Sequence, residues 1–134
     1  YSAYQYYLEV DKRYPEHKDV HLLMAQIKAD EGKYNEAIRI CEKGIKYHPS
    51  NAELYYLLGK QLQKADKFDQ AIDAFQTALK KGKGQPIDAL RCIGNIYYSN
   101  LVNDKKAKEF YKRYVKAGGD NPEVTEAMKK LEGI

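Results

Sequence analysis

Residues Ala52 to Gln85 read AELYYLLGKQLQKADKFDQAIDAFQTALKKGKGQ. The spacing predicts one helix, a tight turn and a second helix. Small residues fall where two such helices must touch: Gly59 midway along the first, Ala71 in the first turn of the second, and Ala78 on the same face as Ala71. Leu54, Leu57, Leu58, Leu62, Phe68, Ile72, Phe75 and Leu79 fill the remaining inward places.

The rest of the chain repeats this pattern. Ala3, Ala37 and Ala71 stand 34 residues apart, as do Tyr7, Cys41 and Phe75, and Pro15 and Pro49. In the other helix Ala25 and Gly59 keep the 34-residue step and Gly94 follows 35 later, while Ala107 follows Ala71 by 36. The last unit therefore carries small insertions. A helix–turn–helix pattern of this period resembles the tetratricopeptide repeat. The most specific stretches are LLGKQLQKADKFDQAIDAFQTAL, EGKYNEAIRICEKGIKYHP and CIGNIYY.

The resemblance implies an all-α fold: a right-handed α-solenoid of antiparallel helix pairs, with about three and a half units and a C-terminal capping helix. The segments are 1–17 (the second helix of a truncated repeat), repeats 18–51, 52–85 and 86–120, and a capping helix over 121–134. Within them Ala3 and Tyr7 take inward places, Asp19 caps a helix running to about Glu31, and Gly44 weakens its helix or admits a closer neighbour. Lys83 stands where the family closes its unit with proline. The turn SNLVNDKKA is longer than its counterparts, and Asn121 with Pro122 starts the last helix. The mid-repeat start suggests a fragment of a longer array, and its uncovered first helix is expected either to pack against another molecule or to be loosely ordered.

Composition narrows the function. The length suits one domain, and no apolar run approaches the roughly 18 residues of a membrane helix. A net charge of +4 does not demand a nucleic-acid or acidic-membrane partner. Cys41 and Cys92 have no metal-type spacing and belong to helices separated by a whole repeat. They are expected to be free, buried thiols, which favours a reducing, cytoplasmic setting.

In this family the first helix of each unit lines a concave surface that takes extended peptides or partner helices. Carried over residue by residue, the resemblance assigns peptide binding to Gln26, Tyr56, Lys60, Gln63, Lys64, Arg91, Asn95 and Tyr98. The three carboxamides pair with peptide backbone, the tyrosines offer flat amphipathic surface, and Lys60, Lys64 and Arg91 make the groove basic, favouring an acidic segment. The family's clamp for chaperone tails uses Lys, Asn and Arg; the matching places hold Leu22, Gln26, Leu57, Asp88 and Cys92, so that subtype is not expected.

Other motifs point to no chemistry. His17 and His21 are four apart but lack metal-site companions, and read as solvated surface histidines. KKGKG at Lys80 to Gly84 lacks the pattern of a phosphate loop and reads as a solvated turn. Lys105, Lys108, Lys112 and Lys116 fall on one side of a helix whose aromatics, Phe110, Tyr111 and Tyr114, read as packing residues, so no nucleic-acid partner is expected. No catalytic residue, cofactor or metal is expected either. The sequence predicts a non-catalytic interaction scaffold with a peptide or protein partner. The alternative is a recruiting domain of a larger enzyme or signalling protein.

Overall fold

The structure, a computed structural model, describes residues 2–133; Tyr1 and Ile134 of the segments above lie outside the described residues. Eight α-helices follow one another among these residues: α1 (Ala3–Arg13), α2 (Val20–Asp30), α3 (Tyr34–Tyr47), α4 (Ala52–Lys64), α5 (Phe68–Lys81), α6 (Asp88–Asn95), α7 (Asp104–Lys116) and α8 (Pro122–Leu131). Each packs on its sequence neighbours, and α2 also reaches α4. The arrangement is an α-solenoid of antiparallel pairs, in which a helix with one apolar stripe buries it only by stacking on the next unit.

Helix ends follow local chemistry. The side-chain oxygen of Asn51 accepts from the backbone N–H groups of Glu53 (3.0 Å) and Leu54 (3.4 Å), and Asn121 does the same for Glu123 (2.9 Å) and Val124 (3.3 Å). Each thereby satisfies donors that a helix start leaves open. Asp19 holds the position before α2 but makes no capping bond; its own N–H donates to His17 Nδ1 at 3.3 Å. The left-handed residue of the hairpin turn is Gly32 (φ 77°) in one unit, Asp66 (φ 60°) in the next and Val102 (φ 50°) in the third. Only the first is a residue that takes this conformation freely.

The long turn of the last unit is not simply a loop. Helix α6 continues as a π-helical turn over Ile96–Asn100, which takes up extra residues without ending the helix. Ile96, fully buried, anchors this extension.

Helix contacts rest on small residues facing rings. A Cβ placed on Gly59 would lie 2.7 Å from Phe75 Cδ1, and one on Gly94 would lie 2.6 Å from the Tyr111 ring. Phe75 and Tyr111 are almost wholly buried. In the preceding unit both partners are smaller, and Ala25 meets Cys41 in a cluster with Ala29, Ala37 and Leu57. Both cysteines are free and buried, as expected.

Helix α1 is held differently. Ala3 is exposed instead of inward, and Tyr6 and Tyr14 are 56% and 53% exposed. Its buried residue is Asp11, whose Oδ2 accepts from Lys43 Nζ of α3 at 2.6 Å, while Oδ1 lies 2.8 Å from His21 Nε2 of α2. His21 is therefore not a surface histidine. It is 1% exposed and stacks on Tyr47 at 5.7 Å. Gly44 makes room for it, since a Cβ there would come within 2.7 Å of His21 Cβ. Burial lowers the His21 pKa, outweighing the pull of the Asp11 carboxylate.

Candidate functional site

Helix α4 carries Tyr56, Lys60, Gln63 and Lys64 at steps of four, three and one, which places them on one side of the helix. On α6 and its π extension Asp88, Arg91, Asn95 and Tyr98 recur at three and four. Where α4 and α6 face each other, a groove of about 440 Å³ opens, and Lys60, Gln63, Lys64, Arg91 and Asn95 line it. Five of the eight residues assigned from sequence thus meet in one place. The groove also takes in Asp66, Phe68, Cys92 and Asn100, which the sequence reading did not include.

Tyr56 and Tyr98 do not line this groove and pack on rings of the core instead. Tyr56 packs on Phe75 at 5.8 Å, with the Lys60 ammonium 5.2 Å above its ring. Tyr98 meets Tyr111 edge-on at 6.2 Å. Gln26 stands apart on α2, where its amide donates to Asp30 Oδ1 at 2.9 Å.

The expected basic character needs a correction at Arg91. Its Nε donates to Asp88 Oδ1 at 2.6 Å and its Nη2 to Asp88 Oδ2 at 2.9 Å, a two-pronged pair that occupies the guanidinium fork. Tyr56 Oη donates to the same Oδ2 at 2.6 Å. One carboxylate therefore braces α4 against α6. The Arg91 bonds, followed by that of Tyr56, hold the Asp88 carboxyl below the usual carboxylate range even though its partial burial works the other way. Burial and the bond to Asp88 raise the Tyr56 hydroxyl, and Asp88 raises Arg91. The mobile positive charge in the groove is that of Lys60 and Lys64, both exposed. Asn95 has spent its carbonyl oxygen on Tyr111 Oη (2.6 Å), which leaves its NH₂ for a ligand.

Among the described residues no group of three or more His, Cys, Asp or Glu could hold a metal ion. No described helix is long and apolar enough to cross a membrane. Burial pushes the Cys92 thiol up to about 11 and Cys41 to about 12, so neither is a ready nucleophile.

Comparison with known proteins bears on this geometry. Residues 28–91 match the tetratricopeptide-repeat family. The chain is 27% identical over 79 residues to the BBSome complex member BBS4 homolog of Drosophila melanogaster, a match that spans 59% of this chain and 16% of that protein. Its fold superposes on the crystal structure of MamA with a TM-score of 0.88 at 27% identity, covering 98% of this chain and 76% of the other. It also superposes on YrrB, described as a TPR protein with an unusual peptide-binding site, with a TM-score of 0.83 at 19% identity, covering 96% and 66%. Residues 28–91 carry the tetratricopeptide-repeat match, and the helical array that contains them has a tetratricopeptide-repeat fold.

Proposed function

We propose that this chain is a non-catalytic interaction scaffold that takes an extended, acidic segment of a partner protein along the α4–α6 groove. The observation that carries the reading is the meeting of two ammonium groups, Lys60 and Lys64, which make no ion pair among the described residues, with the amides of Gln63, Asn95 and Asn100 beside Phe68. Ammonium groups attract carboxylates, amides satisfy an extended backbone, and Phe68 offers apolar surface. Because Asp88, Arg91 and Tyr56 already hold one another, the wall is formed before a ligand arrives, which lowers the ordering cost of binding. The likeness to YrrB supports a peptide as the occupant class.

Pull-down of acidic peptides with the Lys60→Glu, Lys64→Glu double variant tests this. Capture should be lost, and Arg91→Glu should act only through loss of the Asp88 brace. Unchanged capture by the double variant refutes the proposal. A second contact of the same scaffold is self-association through α1, supported by exposed Tyr6 and Tyr14. Sedimentation of the chain against a Tyr6→Ser, Tyr14→Ser variant tests it, and a concentration-independent monomer in both rules it out.

A further inference from the structure

Two basic runs, 80–84 and 105–116, read separately from the sequence as a solvated turn and as lysines along one side of a helix. The stacking of units brings them together. Lys80 and Gly84 from the first run and Arg113 and Lys116 from the second line one cleft of about 720 Å³, floored by Leu79 and Leu90. It shares no lining residue with the α4–α6 groove. The consecutive residues Leu90 and Arg91 point one into each, so the two openings lie on different sides of α6.

Charge separates this cleft from the others. Glu9, Glu42 with Asp73, Asp66, and Asp19 with Glu53 line the four other clefts described. This one is lined by three cations and no carboxylate. Among the described residues none of the three takes part in an ion pair. The Arg113 guanidinium sits 4.9 Å over the Phe110 ring, which fixes its direction. Some of the charge answers the carbonyl ends of α5 and α7, but each end carries only about half a unit of negative charge. Three cations exceed that. Lys81 and Lys83, next in sequence to the lining residues Lys80 and Gly84, are exposed.

We propose that this cleft is a second docking surface, for an acidic protein segment carrying an aliphatic side chain. The cations meet its carboxylates, and Leu79, Leu90 and Ala117 receive the aliphatic group. A single-stranded nucleic acid fits less well, because binding of that kind relies on aromatic faces for base stacking. No aromatic residue lines the cleft, and Phe110, Tyr111 and Tyr114 are buried in the core.

The test uses the whole chain and a fluorescein-labelled peptide of glutamate blocks interrupted by leucine. Binding is followed by anisotropy, and the site is mapped by amide chemical shifts. The expected result is salt-sensitive binding, with shifts at Lys80, Gly84, Arg113 and Lys116. On the Lys60→Gln, Lys64→Gln background, which retains this site's shifts and removes the α4–α6 groove's ammonium groups, the triple variant Lys80→Gln, Arg113→Gln, Lys116→Gln should lose about tenfold or more in affinity. The wild-type shift map stands even if the triple variant folds poorly. Absence of binding, unchanged affinity in a folded triple variant, shifts confined to Lys60 and Lys64, or tighter binding of an oligouridylate of equal charge would each overturn the proposal.

Discussion

Gly59→Ala isolates the contact on which the central hairpin is built. The new methyl carbon would fall 2.7, 2.8 and 3.0 Å from Cδ1, Cε1 and Cγ of Phe75, closer than carbon atoms pack. Phe75 has no exposed surface, so its ring cannot swing into solvent. Alanine favours a helix interior over glycine by about 0.5–1 kcal/mol. Forcing an extra methyl into a filled core opposes this with about 1–3 kcal/mol. The clash should win, for a net loss of about 1–2 kcal/mol, or roughly 4–7 °C in melting temperature for a chain of this size. Urea unfolding followed by circular dichroism measures it. A Phe75→Leu partner makes the assignment specific: combined with Gly59→Ala it should recover part of the loss, giving a coupling energy of about 1 kcal/mol or more in the double-mutant cycle. A Gly59→Ala protein as stable as the parent, or additive losses in the cycle, would refute the close-approach account.

Val102 occupies a left-handed turn position that β-branched residues avoid and is 74% exposed. Val102→Asn should therefore stabilise the chain by about 1 kcal/mol in the same urea assay. The pH profile follows from His21. Its pKa is lowered in the folded chain, so the unfolded chain binds more protons below the ordinary histidine value of about 6.5. Its contribution is complete above that value and is lost as pH falls toward the folded pKa. His21→Gln should flatten the profile there; Asp88, also lowered, adds its own loss at more acidic pH. Both thiols should react slowly with an aromatic disulfide reagent at mildly alkaline pH, rising to the free-thiol rate only in denaturant.

The fold was legible because the repeat writes the same packing rule several times. Gly59 and Gly94 announce a close neighbour, and Phe75 and Tyr111, 16 and 17 residues on, supply the ring. The tie of α1 was not legible. Asp11 and Lys43 are 32 positions apart and fall outside the apolar pattern; a buried carboxylate beside a histidine leaves no periodic trace. The Asp88–Arg91 pair did have a signal, an acid three residues before a base on one helix. That spacing alone does not tell an internal pair from two charges offered to a partner. The cationic cleft could not be read from either basic run alone, since its two halves meet only through the stacking of units. The insertion near Val102 was visible as length, but length does not say whether added residues extend a loop or widen a helical turn.

The brace of Tyr56 and Arg91 on Asp88 also acts on direction. In a solenoid each unit is rotated relative to the last, and these rotations accumulate along the array. A carboxylate gripped from both α4 and α6 fixes the rotation at that one junction. Everything after the junction behaves as a lever arm whose aim these three side chains trim, on top of the core packing of α5 against α6. Weakening the grip would leave each helix pair intact yet change where the far end points, and with it the distance between two surfaces that lie on different sides of α6.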